Sequence, residues 1–110
     1  MKFLEAYIPP DALDDVRGLL ARQGIDDLVA YETVVRIAED DRLQWESPWS
    51  DFVPQIKLEM AVADERAAPA AQAIFDNVSA RRTRRRVQIL ISPLDDLVSI
   101  ETGRHGLAAL

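Results

Sequence analysis

The sequence predicts a single α+β domain built from two strand–helix–strand units that follow one another along the chain. The first observation behind this prediction is that strand-like and helix-like apolar patterns take turns. The second is the length, since 110 residues are enough for one hydrophobic core and too few for two. The third is the composition, 48% apolar and 29% charged, which is ordinary for a globular domain.

The first unit begins with a strand predicted from Lys2 to Ile8 and ends with a strand from Leu28 to Ile37, which is rich in β-branched residues. Between them we predict a helix from Asp11 to Gln23, with Asp11 as its N-cap and Gly24 just past its end. The apolar positions that recur at helical spacing are Leu13, Val16, Leu19 and Leu20.

The second unit repeats this order. A strand over residues 55–62 has one apolar face, formed by Ile56, Leu58, Met60 and Val62, because these residues alternate with Gln55, Lys57, Glu59 and Ala61. A helical stripe from Ala67 to Val78 follows, and then a strand from Val87 to Ser92. A short C-terminal strand is predicted at Val98 to Glu101.

Two such units favour a ferredoxin-like βαββαβ sandwich, in which an antiparallel sheet carries both helices on one face. Lys57 and Glu59 would then lie on the other face of the sheet from Leu58. That second face is only partly polar, so its apolar residues need to be buried against other protein. We therefore expect an oligomer whose subunits close it.

A run of arginines separates the second helix from the last strand of that unit. Once its five charges are subtracted from the net charge of −6, the rest of the chain carries −11. Guanidinium groups are suited to phosphate and carboxylate, so one interpretation is an anion site. The other is a solvated loop neutralised by the protein's own acids. The five residues are Arg81, Arg82, Arg84, Arg85 and Arg86.

The connection between the two units, about residues 38–52, is the longest irregular stretch, and long loops in compact domains are usually functional or disordered. Its candidate contact residues are Arg42, Trp45 and Trp49. Aromatic residues flanked by polar groups are favoured as interface anchors, which predicts a loop that docks on a partner. The alternative is that both rings fold back on the protein or on a neighbouring subunit.

Composition also excludes some classes of protein. The chain has no cysteine, so it contains no disulfide, zinc thiolate site or cysteine nucleophile. No apolar stretch approaches the roughly 18 residues that span a bilayer, and no signal sequence opens the chain, so we expect a cytoplasmic protein without membrane insertion.

Taken together, three segments resemble the PII family of nitrogen regulatory and signalling proteins, and with their spacing they cover nearly the whole chain. Leu13-Asp14-Asp15-Val16-Arg17 resembles the first helix of that family. The segment from Asp51 to Glu59, with its Asp-Phe-x-Pro start, is similar to the beginning of the third strand. Ile100-Glu101-Thr102-Gly103 matches the C-terminal strand and turn.

The resemblance implies a homotrimer in which residues 38–52 form the T-loop that grips a target protein, such as a membrane transporter or metabolic enzyme. It makes residues 79–86 the B-loop, which lines nucleotide phosphates between subunits, and residues 103–110 the C-loop. It also implies an anion or nucleotide site that includes the arginine run, Gln88 and Glu59, with Glu59 beside the base of an adenine nucleotide.

The sequence departs from the family at most ligand positions. Residues 85–88 hold none of the B-loop glycines, so a phosphate would be held by side chains instead of backbone N–H groups. Ser99 and Glu101 replace two phosphate-binding arginines, and Gln55 replaces the lysine for 2-oxoglutarate, which disfavours that ligand and its magnesium. The effector is therefore either changed or lost. If it is lost, the chain is an interaction module, and Glu101 pairs with an arginine of the next subunit.

Other functions are less well supported. The single histidine, His105, lacks the partners of a catalytic triad, so we expect no enzyme. A metal site is disfavoured by the absence of cysteine and the single histidine. Nucleic-acid binding is disfavoured because the remaining −11 charge repels a polyanion and no aromatic residue stands among the arginines.

Overall fold

A computed structural model of the chain describes residues 1–36, 52–81 and 88–110. They form an antiparallel sheet with strand order β2-β3-β1-β4 and two helices, as the ferredoxin-like prediction requires. The α+β class is confirmed, and the trimeric assembly stays a prediction. The elements are β1 (Lys2–Ile8), a 3-10 turn (Pro10–Ala12), α1 (Leu13–Arg22), β2 (Val29–Arg36), β3 (Phe52–Val62), α2 (Asp64–Ser79), β4 (Ile89–Pro93) and a second 3-10 turn (Gly106–Ala109).

Helix α1 begins two residues later than the sequence predicts, and the assignment of Asp11 as its N-cap is wrong. Ala12 is the N-cap, and no side chain forms a capping hydrogen bond there. The two prolines before it explain the difference, because their fixed φ starts a 3-10 turn at Pro10 that runs directly into the helix. The predicted end is confirmed, since Gly24 has a φ of +79°, which glycine adopts without strain.

The core lies between the helices and one face of the sheet. The register pairs Leu4 with Met60 and Ala6 with Leu58, so apolar side chains of β1 and β3 point to the same side. Helix α2 contributes small residues that let it lie close to the sheet. The fully or almost fully buried residues include Leu4, Ala6, Ile8, Val16, Leu20, Leu58, Met60, Ala70, Ile74 and Val78.

The chain after β4 differs from the predicted short strand. Val98 forms an isolated bridge with His105, and Ile100 is 98% exposed at the tip of the hairpin between them. The hairpin is closed by Asp96, whose Oδ1 accepts hydrogen bonds from the backbone N–H groups of Leu97 (2.8 Å) and Gly106 (3.1 Å). These local bonds hold the segment in a hairpin instead of a strand of the sheet.

Neither helix in the described ranges combines the length and the apolar character that a transmembrane span requires.

Two neighbouring residues of α2 test this packing. Ile74 is completely buried, whereas the side chain of Phe75 is 56% exposed. We expect Ile74→Ala to lower the free energy of unfolding by roughly 2–5 kcal/mol, because it leaves a cavity in the core. Phe75→Ala is the matched control and should cost less than about 1 kcal/mol. Urea unfolding followed by circular dichroism measures both, and equal losses would contradict this assignment of the core.

Candidate functional site

The face of the sheet that the helices leave open carries a row of polar and aromatic side chains. The register places Tyr31 of β2 opposite Lys57 of β3, and Lys57 opposite Tyr7 of β1. Glu5 and Glu59 form the next pair of the same face. Lys57 and Glu59 therefore lie on the face that the alternating pattern predicts.

Lys57 is the centre of an ion cluster on this face. Its Nζ atom lies 3.1 Å from Oε1 of Glu5 and 3.6 Å from Oε1 of Glu59. It also lies 5.5 Å from the ring centroid of Tyr7 and 5.8 Å from that of Tyr31, within the range of cation–π attraction. One positive and two negative charges leave the cluster with a net charge of −1.

The hydrogen bond with Glu5, followed by the one with Tyr31, raises the pKa of Lys57 above its ordinary value. Lys57 therefore stays protonated at neutral pH, and its charge is balanced by carboxylates of the same chain. The hydroxyl of Tyr31 donates a hydrogen bond to Oε1 of Glu59, and this bond raises the pKa of Tyr31. The cluster does not present an unpaired cation to an anionic ligand.

A cleft of 510 Å³ opens at one end of the cluster, where β2 ends and β4 begins. The predicted site residue Gln88 lines it, and its backbone C=O accepts a hydrogen bond from the N–H of Tyr7 at 3.1 Å. Gln55, which stands at the position of a family lysine, also lines the cleft and is 1% exposed. Arg36 borders the cleft as the last described residue of β2.

A larger groove of 910 Å³ lies at the opposite end of the sheet. Glu59 lines it together with Phe3 and Val29 of the sheet and with the C-terminal residues Ser99 and Leu110. The structure therefore places Glu59 beside the C-terminal segment and Gln88 in the smaller cleft. The nucleotide contact of Glu59 stays a prediction.

Arg81, the first arginine of the run, is bound by acids of the helix layer. Its Nη2 lies 2.6 Å from Oδ2 of Asp15 and its Nη1 lies 3.5 Å from Oδ2 of Asp11, while its Nε donates to Oδ1 of Asn77 at 3.2 Å. All three partners are on the helix side of the sheet, whereas Glu59 is on the open face. The structure does not bring Arg81 and Glu59 together, and the anion-binding role of Arg81 stays a prediction.

Most of the other predicted contact residues lie outside the described residues. The T-loop prediction covers residues 38–52, of which only Phe52 is described, and the B-loop prediction covers residues 79–86, of which only 79–81 are described. The residues concerned are Arg42, Trp45, Trp49, Arg82, Arg84, Arg85 and Arg86.

Residues 103–110, the predicted C-loop, are described and are held by a contact that sequence analysis missed. Oδ2 of Asp96 lies 3.2 Å from Nδ1 of His105, and this hydrogen bond lowers the pKa of Asp96. The acidic pair Asp95-Asp96 gives no sign of the contact, because it depends on the hairpin that brings His105 back beside Asp96. Within residues 1–36, 52–81 and 88–110, no three metal-ligating side chains cluster around one point.

Tyr31 gives a direct spectroscopic test of its hydrogen bond to Glu59. The chain has two tyrosines, so Tyr7→Phe leaves Tyr31 as the single phenol. We expect its ultraviolet titration midpoint to lie above 10, and Glu59→Gln to move the midpoint back towards 10, because the hydrogen bond to Glu59 favours the neutral phenol. Gln72→Leu, a change in the helix layer, is the control and should leave the midpoint unchanged.

The raised pKa of Tyr31 also determines how the stability of the fold depends on pH. A phenol whose folded-state pKa is raised stabilises the fold fully below about pH 10, and this contribution is lost as pH rises through the raised pKa. A midpoint of Tyr31 at or below 10 would contradict the contact.

Comparison with known proteins identifies the family. No protein-family model matches the chain. The nitrogen regulatory protein P-II of Cereibacter sphaeroides is 32% identical over 96% of both chains, and that of Rhizobium meliloti (strain 1021) is 28% identical over the full length of both. The nitrogen regulatory protein GlnK2 of Haloferax mediterranei is 31% identical over all of this chain and 91% of its own. With this similarity and the matching fold, the chain belongs to the P-II family of nitrogen regulatory proteins.

Proposed function

We propose that the chain is a PII-like signalling protein, a trimeric and non-catalytic regulator that docks on a target protein. The observation that carries this proposal is the similarity to nitrogen regulatory proteins along nearly the whole chain, at 32% identity to the Cereibacter sphaeroides protein. Residues 38–52 are the docking segment, and Arg42, Trp45 and Trp49 are its contact residues. The target is a transporter or a metabolic enzyme.

The open face of the sheet supports a trimeric assembly. Both helices lie on the other face, and exposed apolar side chains, among them Val29 (57%) and Leu90 (47%), share the open face with the ion cluster. Such a surface is typical of one that meets other subunits. Three copies arranged around an axis would bring these faces together.

Sedimentation equilibrium tests the assembly. We expect a mass of about 37 kDa, three times the 12.3 kDa of the chain. Val29→Glu/Leu90→Glu should shift the protein to monomer, because it places carboxylates in the proposed interface beside Glu5 and Glu59. Phe75→Glu, an equally exposed position on α2, is the control and should remain a trimer. A monomeric wild-type protein would refute the proposed architecture.

The arginine run supports the sensing of a small anion, such as an adenine nucleotide, between subunits. Arg81 is already bound to Asp11 and Asp15, so the anion contacts fall mainly on Arg82, Arg84, Arg85 and Arg86. The ion cluster carries a net charge of −1, which makes the arginine run the more favourable place for a phosphate. The same observations suit the second candidate, a PII-like scaffold without an effector, if these arginines pair with Glu101 of a neighbouring subunit.

Isothermal titration calorimetry separates the two candidates. Titrants are ATP, ADP, AMP, cyclic AMP, bicarbonate and 2-oxoglutarate. We expect a phosphate-bearing ligand to bind, and Arg84→Ala/Arg85→Ala to weaken it at least about tenfold, since each charge-assisted hydrogen bond contributes roughly 1.5–3 kcal/mol. The control is Arg17→Ala/Arg22→Ala, which removes two exposed arginines of α1 and should change the affinity little. If no anion binds, the sensing role is wrong and the scaffold is favoured.

A further inference from the structure

The chain after β4, residues 94–110, lies outside the sheet, and we call it the strap. None of its residues is buried, and the side chain of Leu107 is 65% exposed. The strap therefore gains little from the burial of apolar surface, which stabilises the rest of the fold. Its position depends mainly on polar contacts. Segments of this kind open locally at a small cost in free energy.

The strap forms one wall of the groove of 910 Å³. Leu97 and Leu110 line the groove from the strap, and Phe3 lines it from the sheet. The strap is attached to the sheet at its start, where the N–H of Leu94 donates to the C=O of Met1 at 3.1 Å. A strap that moves away beyond this attachment removes one wall of the groove.

Asp96 connects the two ends of the hairpin within the strap. Its Oδ1 accepts hydrogen bonds from the N–H groups of Leu97 (2.8 Å) and Gly106 (3.1 Å), and its Oδ2 lies 3.2 Å from Nδ1 of His105. The hydrogen bond with His105, followed by the one with Leu97, lowers the pKa of Asp96. The charged carboxylate is therefore the form that holds the hairpin.

Other charged groups near this contact come from the strap and from the elements beside it. Among the charged groups that the structure describes, His105 is the one whose charge acts on the pKa of Asp96. At the start of β1, the Met1 ammonium lies 2.8 Å from Asp64 instead. The remaining groups are Asp95, Glu101 and Arg104 of the strap, Lys2 of β1, and Asp26, Asp27, Glu59 and Arg66 of the groove.

We propose that Asp96 and His105 form a pH-responsive clasp, which keeps the strap closed along the groove and loosens it as pH rises through neutrality. Histidine side chains change their charge between about pH 5 and pH 8. The contact is an ion pair only while the imidazole is protonated, and a neutral imidazole keeps at most the hydrogen bond. The clasp does not rest on trimer formation or on anion sensing.

The size and the sign of the effect follow from the exposure and charge of the two groups. His105 is 65% exposed and Asp96 is 55% exposed, so the pair acts as a surface ion pair and changes the ratio of open to closed strap about two- to fivefold. This stabilisation is lost as pH rises and the imidazole loses its proton. At the acid end, the lowered pKa of Asp96 keeps its contribution above about pH 4, and the contribution is lost as pH falls through the lowered value.

Trypsin cleavage after Arg104 measures the opening of the strap in the full chain. The C=O of Arg104 accepts a hydrogen bond from the N–H of Ser99 at 2.9 Å inside the hairpin, so cleavage requires the hairpin to open. When opening and closing are fast, the cleavage rate follows the open population. Mass spectrometry gives the initial rate at which residues 105–110 are released. This rate is divided by that of a free peptide with the sequence of the strap at the same pH.

We expect the normalised rate to rise about two- to fivefold between about pH 6 and about pH 8.5. His105→Gln, measured against its own peptide, should abolish this pH dependence, because glutamine is polar but carries no titratable charge. Asp96→Ala should raise the rate at both pH values, because it removes all three bonds of the carboxylate. Asp95→Asn, a change at the neighbouring acid, is the matched control and should behave like the wild type.

Circular dichroism checks that each variant keeps the fold of the sheet and helices. The proposal is overturned if the normalised rate of the wild type stays constant or falls as pH rises, or if His105→Gln keeps the pH dependence. Complete protection of Arg104 at both pH values would also overturn it, because the strap would then stay closed whatever the charge of His105. None of these results depends on whether an anion binds the arginine run.

Discussion

A four-stranded sheet has two faces, and the two helices of this chain cover one of them. This asymmetry determines the placement of nearly every described side chain. On the covered face, β1 and β3 contribute apolar residues in register, and the alanines of α2 let that helix lie against them. On the open face, most of the alternate residues of the same strands are charged, aromatic or amide-bearing. A single residue of slippage in β3 would exchange the two sets, so the core fixes the chemistry of the open face.

The ion cluster shows what the open face can and cannot do. Lys57 lies between two tyrosine rings and two carboxylates, and its charge is used within the chain. Such a cluster keeps its members in defined positions but offers an external anion little attraction. Five of the 13 lysine and arginine residues of this acidic chain stand in the arginine run instead.

Sequence patterns predicted the parts of the fold that depend on local periodicity. The alternation from Ile56 to Val62 correctly gave the two faces of β3, and Gly24 correctly marked the end of α1. The assignment of Asp11 was wrong because a proline pair started a turn ahead of the helix, and the predicted strand at Val98 became a hairpin closed by Asp96. The burial of the Gln55 side chain was not predictable, because it depends on which strands and side chains meet around it. Roles of the arginine run and of Trp45 stay predictions from the sequence.

The contact of Arg81 with Asp15 links residues 66 positions apart in sequence and joins the end of α2 to the start of α1. Loss of Arg81 would leave both Asp11 and Asp15 without their cation, whereas loss of Asp15 would leave Asp11 beside the guanidinium. Selection should therefore act on Arg81 together with both aspartates, and close relatives of this chain that lack Arg81 should also lack this acidic pair. The first arginine of the run would then have an evolutionary history distinct from that of the four that follow it.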